Sequence, residues 1–148
     1  MLGSLAKWLR IFGFDTFYPD ATTNDDSVLL IASHEKRLLI SRDKELLIRA
    51  KKQLIPTLEI QTTQLSEQVQ QVLRQIPFNE KTILSRCTLC NTPLRSIEKE
   101  SIKDKIPEKV YQTRNEFWVC PSCLKYYWMG THYENMKEHI DALTKKKH

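Results

Sequence analysis

Apolar residues recur at helical spacing over the first dozen positions. Leu2, Leu5, Ala6 and Leu9 fall at i, i+3, i+4 and i+7, with Trp8 and Phe12 beside them and Lys7 and Arg10 on the other face. The pattern predicts a helix over residues 2–12, ended by Gly13, which takes a left-handed cap conformation without steric cost. Residues 14–18 are short, aromatic and β-rich. They read as a strand, closed by Pro19 and the polar run Thr22-Thr23-Asn24-Asp25. A second helix is expected over residues 26–35, with Asn24 or Asp25 as its N-cap. Residues 38–41 form a buried-type strand, and Arg42-Asp43 leads into a third helix over 44–52. Another strand covers residues 56–60. Leu65, Val69, Val72, Leu73 and Ile76 then mark an amphipathic helix over 63–75, ended by Pro77.

Strands alternating with helices predict an α/β unit with a parallel sheet flanked by helices, over residues 1–80. A separate module is expected over 82–133, in which the charged stretch 98–109 reads as an exposed loop. Residues 134–148 read as a short helix using Met136, Ile140 and Leu143, followed by a basic tail.

The module is defined by its cysteines. The chain has four, arranged as Cys87-Thr-Leu-Cys90 and Cys120-Pro-Ser-Cys123, with 29 residues between the pairs. Each Cys-x-x-Cys places two thiolates at one tight turn, and two such turns supply the four tetrahedral ligands of a structural zinc. Two local disulfides or paired redox motifs would also use four cysteines. Stable disulfides need an oxidising compartment, and the given sequence shows no secretory signal. A redox motif needs one pair embedded in a βαβ unit, not two matched ones.

Charged residues make up 28% and hydrophobic residues 41% of the chain, the balance of a soluble globular protein. No apolar run approaches the ~18 residues of a membrane span. The longest, 28–32, is broken by Ser33-His34-Glu35-Lys36. A cytoplasmic location without membrane contact is expected. The net charge of +5 and pI of 9.0 favour an anionic partner, nucleic acid first. The tail Lys145-Lys146-Lys147-His148 carries three of the charges and reads equally as a solvated end.

Two acidic features fall where ligands gather in parallel sheets, beyond the carboxyl ends of strands. Asp43 follows the strand 38–41, and Asp25 and Asp26 precede the second helix. Clustered carboxylates repel unless a divalent cation sits among them, and oxygen donors suit magnesium or manganese. Such an ion would activate water and stabilise a leaving phosphodiester oxygen. Taken singly, each aspartate also reads as a helix cap. Lys7, Arg10, Arg37, Arg42 and Lys44 are candidate contacts to RNA phosphates. Around the second cysteine pair, Trp118, Tyr126, Tyr127 and Trp128 are candidates for stacking on bases, with Arg86, Arg95, Arg114 and Lys125 for phosphates. The same rings also read as the small core under the metal. His132 is a candidate RNA contact or a structural histidine.

Several of these segments together resemble a known family. Met1-Leu-Gly-Ser-Leu-Ala-Lys-Trp-Leu-Arg10 and Gly13-Phe-Asp15-Thr resemble the start of the Mut-seven C-terminal RNase domain. Leu39-Ile-Ser-Arg-Asp43 with Leu46, Arg86-Cys-Thr-Leu-Cys-Asn91, Cys120-Pro-Ser-Cys123, Tyr127-Trp128-Met-Gly130-Thr-His132 and Met136 follow in the family's order. The resemblance implies a PIN-like nuclease fold joined to a zinc ribbon, with metal-dependent RNA cleavage by clustered aspartates. It places Asp43, and Asp25 or Asp26, at acidic positions of that cluster. It also implies a strand ending in an aspartate before the Met-Leu-Gly, where this sequence begins. Two readings follow: a start upstream of Met1, or a short form that binds RNA or a ribonucleoprotein as a catalytically inactive adaptor, for example at the ribosome. In the short form, a partner chain could supply the strand.

Overall fold

A computed structural model describes residues 2–146, apart from the side chains at 80, 140 and 142–146. The side chains expected to matter at Ile140 and Leu143, and the basic tail 145–148, therefore fall outside the described side chains.

Helix α1 (Gly3–Ile11) buries Leu5, Ala6, Trp8, Leu9 and Ile11, and Gly13 follows it at φ +94°. Helix α2 (Asp25–His34) starts at Asn24, whose side chain accepts the Ser27 N–H at 2.8 Å. Asp25 and Asp26 occupy its first turn, where negative charge suits the helix dipole. Strand β1 (Leu39–Ser41) runs parallel to β2 (Thr57–Glu59), with Ile40 opposite Leu58. Between them lies α3 (Lys44–Lys52), and after β2 comes α4 (Leu65–Gln75).

The sheet separates two apolar clusters, because neighbouring strand residues face opposite ways. Leu39 packs with Leu29 and Ala32 of α2 and with Leu46, Ala50 and Ile55. Ile40, Leu58 and Ile60 pack instead with α1 and with Val69 and Val72 of α4. The result is a helix–sheet–helix layering of mixed α/β type. The ladder bonds from Leu39 N–H to Pro56 O and from Ile60 N–H to Ser41 O direct the groups of residues 39 and 41 toward β2. The backbone groups of Ile40 consequently point to the other edge, where no strand pairs among the described residues.

The cysteine module follows as a three-stranded antiparallel sheet of β3 (Arg95–Ile97), β4 (Phe117–Val119) and β5 (Tyr126–Tyr127), with β4 in the middle. Helix α5 (Glu108–Thr113) lies between β3 and β4. Helix α6 (Thr131–Lys146) then returns to the α/β unit. Its Tyr133 is part of the main core, with Trp118, Met129 and Met136 packed against that core.

Three expectations need correction. Residues 14–18 form no strand. Their backbone groups are held singly: the Phe14 N–H donates to Leu9 O, the Thr16 N–H to Asn91 Oδ1, and Thr16 O accepts from Arg10 Nε. With no adjacent strand edge, β-rich composition cannot form a ladder. The stretch 98–109 is not simply an exposed loop, since a 3₁₀ turn at Lys99–Ile102 inserts a fully buried Ile102 (0% exposed) and α5 begins at Glu108. The final helix also starts three residues earlier than its apolar spacing predicts.

Gly13 is required twice over. Its φ of +94° is costly for any side chain, and a Cβ would collide with the Thr82 carbonyl oxygen and lie 2.6 Å from Thr82 Oγ1. Gly13→Ala is expected to destabilise the protein by about 1–3 kcal/mol from the backbone strain alone. Urea unfolding checks this, and an unchanged midpoint would contradict the packing of Thr82 on the end of α1.

Candidate metal centre and the acidic end of the sheet

The four cysteine sulfurs converge within 4.8 Å of one another. The two turns are built alike. Asn91 and Leu124, each just past its pair, have φ of +70° and +60°. Their N–H groups close the turns onto Cys87 O at 2.9 Å and Cys120 O at 2.8 Å. The sulfurs accept backbone N–H groups, Leu89 to Cys87 Sγ at 3.4 Å and Cys123 to Cys120 Sγ at 3.2 Å. Such donors stabilise thiolate. The Tyr127 hydroxyl lies 3.0 Å from Cys87 Sγ while accepting the Thr88 N–H at 3.0 Å. Burial pushes this phenol up to about 12, so it keeps its proton at neutral pH.

Cys90 and Cys123 are driven apart by their surroundings. The Thr92 hydroxyl, 3.0 Å away, holds Cys90 down at about 6. Cys123 is pushed up to about 12, first by its contact with Cys90 and then by burial and the other sulfurs. Four sulfurs this close cannot all ionise without a cation. A divalent ion that prefers tetrahedral sulfur removes that conflict, so the donor set fits a metal such as zinc. None of the sulfurs is disulfide-bonded.

The first turn is also gripped by the α/β unit. Asn91 Nδ2 donates to Asp15 Oδ1 at 2.6 Å, and Asn91 Oδ1 accepts the Thr16 N–H at 3.0 Å. Arg10 bridges Thr16 O and Thr88 O, both at 2.9 Å. The same Asp15 oxygen is also held by Arg37 at 3.2 Å, which in turn bonds Glu35 at 2.8 Å. The hydrogen bond from Asn91 and the Arg37 guanidinium keep the Asp15 carboxyl below its ordinary range.

The candidate catalytic aspartates are exposed, at the starts of α2 and α3. Asp43 lies just past the carboxyl end of β1 and caps α3, its Oδ1 accepting the N–H groups of Glu45 at 3.0 Å and Leu46 at 3.2 Å. Asp26 forms an ion pair with Arg49 of α3. Arg49 is six residues beyond Asp43, roughly 9 Å along the helix. Asp25 is exposed in the first turn of α2. Among the described residues, the four cysteines are the group of three or more metal-type donors close enough to share an ion.

The sequence profile of the Mut7-C RNAse domain matches residues 1–140. The chain belongs to this family. No curated protein and no solved structure gives a significant match.

In this Mut7-C domain the proposed RNA contacts divide into two sets. Lys7, Arg42 and Lys44 are exposed, and the last two flank Asp43. Arg10 is committed to Thr16 and Thr88, and Arg86 donates to Asn91 O at 2.9 Å with Asp15 at 4.0 Å. Lys125 lies 5.2 Å above the Tyr127 ring, Trp128 packs edge-on to Phe117, and His132 stacks on Trp8 at 5.9 Å. The grip on Asn91 was not visible in the Mut7-C motifs as read from sequence. Its only local signal is an asparagine where the turn demands a positive φ. Among the described residues, no helix is long and apolar enough to cross a membrane.

Proposed function

We propose that this Mut7-C domain is a divalent-metal-dependent ribonuclease of PIN-like fold carrying a zinc ribbon, acting on RNA or ribonucleoprotein in the cytoplasm. The observation that carries the reading is the family match over residues 1–140. The position of Asp43 past the carboxyl end of a parallel strand agrees with it. Asp43, with Asp25 or Asp26, would hold magnesium or manganese. When bound, such an ion activates water and stabilises the departing oxygen. Asp43 presents an oxygen free of its cap bonds, and Arg42 and Lys44 beside it hold phosphate. Lys7, Lys125, Trp128 and His132 extend the RNA path, while Arg10 and Arg86 stay engaged around the first cysteine turn. Cys87, Cys90, Cys120 and Cys123 hold the zinc.

A second reading rests on a specific observation. Asp43 is engaged as a helix cap and Asp26 by Arg49, an arrangement that suits a catalytically inactive RNA- or ribosome-binding adaptor.

The test separates capping from catalysis. Asparagine caps a helix about as well as aspartate, whereas alanine costs about 1 kcal/mol. Asp43→Asn is therefore expected to melt like the parent yet lose magnesium- or manganese-dependent cleavage of labelled RNA, while Asp43→Ala loses stability as well. Cleavage unaffected by Asp43→Asn, or surviving chelator, would sink the nuclease assignment to this residue. RNA binding without cleavage by the parent protein would establish the adaptor.

A further inference from the structure

We infer that Asp15 and Asn91 form a clasp that couples metal retention at the four cysteines to the order of the segment joining α1 to α2. The inference rests on a metal at the cysteines and not on RNA cleavage.

The observations are independent of one another. Asn91 follows Cys90 directly and closes the first turn through its own N–H onto Cys87 O. Its side-chain amide uses both ends on residues 75 and 76 positions earlier, Oδ1 on the Thr16 N–H and Nδ2 on Asp15. Arg10 joins the same two pieces through carbonyl oxygens of Thr16 and Thr88. From Asp15 the chain of contacts continues through Arg37 to Glu35, the residue that ends α2. The α1–α2 segment belongs to no sheet, so these contacts are what hold its backbone at Thr16. The first metal turn, in its own right, is a small loop with one buried sulfur, Cys87, and one exposed sulfur, Cys90.

Each side thus restricts the other. A metal fixes the first turn in the one conformation that presents the Asn91 amide to Thr16 and Asp15. The clasp in turn holds the turn closed and slows the opening that releases metal. Residues supporting metal ligands from outside commonly change metal affinity by about 10–100-fold when removed. Coupling of this kind is reciprocal.

Two variants isolate the clasp. Asn91→Gly keeps the positive φ that glycine tolerates and removes the amide. Asp15→Ala removes the acceptor, and Asp15→Asn restores an acceptor of the same shape. Zinc-loaded full-length protein is mixed with a colorimetric chelator, and the rate of zinc transfer is followed. Asn91→Gly and Asp15→Ala are expected to release zinc about 10–100-fold faster than the parent, with Asp15→Asn restored to near the parent rate. Cobalt-substituted samples should show the same tetrahedral spectrum in all four proteins, which separates faster opening from an altered ligand set. The reciprocal arm is hydrogen exchange. The Thr16 amide should be protected with zinc bound and exchange fast after zinc removal, while the Ala50 amide in α3 stays protected. Parent-like release from both variants, or Thr16 exchange indifferent to zinc, overturns the clasp. A parent protein that holds no metal overturns the metal site and the clasp with it, an outcome distinct from a loaded site that ignores the variants.

Discussion

Cys120→Ser is expected to leave the module from about residue 84 to residue 128 unfolded, and a strong chelator is expected to do the same to the parent protein. The reason is what the module has in place of a core. Its cluster around the sulfurs consists of Cys87, Cys120 and Tyr127, with Leu94 and Trp118 partly covered beside them, and Ile102 and Phe117 are its other fully buried apolar side chains. Few apolar side chains are present to offset chain entropy. Metal binding in comparable structural zinc sites contributes on the order of 10 kcal/mol at neutral pH, as much as the whole stability of an ordinary domain, about 5–15 kcal/mol. The effect should reach past the module, since Trp118, Met129 and Met136 pack on the main core. Zinc content and the near-ultraviolet dichroism of Trp118, Tyr126 and Tyr127 report the result. A Cys120→Ser protein with parental dichroism and melting would show that the sulfurs do not bind a structural metal.

Trp8→Ala should have the next largest effect, destabilising the protein by about 3–5 kcal/mol and lowering the melting temperature by roughly 10 °C or more. Trp8 is buried at 4% exposure and sits in a cluster drawn from α1, β2, α4 and α6. Its ring lies 6.3 Å from Phe12 and stacks on His132 of α6 at 5.9 Å. Removal opens a cavity between the first helix and the last, so both should loosen in one transition. Hydrogen exchange in α6 of the variant tests the coupling: α6 amides as slow as in the parent would mean that α6 does not depend on this ring. Trp8→Phe, which keeps most of the volume, should lose markedly less.

Much of the local architecture was legible. Helix α3 occupies the residues its pattern predicts because its start signal, Asp43, and its apolar spacing lie within a few residues of each other. Gly13 ends α1 because a left-handed residue was needed there. The cysteine pairs announced a sulfur cluster fit for a metal because two cysteines three residues apart meet at one turn. Residues 14–18 misled for a physical reason: aromatic, β-rich composition describes a surface that suits a sheet, but a ladder also needs a neighbouring edge. Ile102 was hidden because two apolar side chains in a charged run, Ile102 and Ile106, with Pro107 directly after them, are too few to define a period.

The candidate catalytic residues show the same division. An aspartate before a helix serves as cap or as metal ligand with the same local sequence. Here Asp43 spends one oxygen on two backbone donors, and only a variant that keeps the cap can tell the roles apart.

By itself, then, the sequence determined helices α1 to α4, the two cysteine turns and the identity of the four candidate sulfur ligands, since each depends on side chains within about one helical turn or one tight loop. The tertiary structure alone decided that α6 shares the core of α1, that Arg10 and Arg86 are engaged around the first cysteine turn, and that Asp15 meets Asn91. Those contacts join residues as far apart along the chain as Trp8 and His132, and no spacing along a chain encodes which distant groups will meet once burial brings them together.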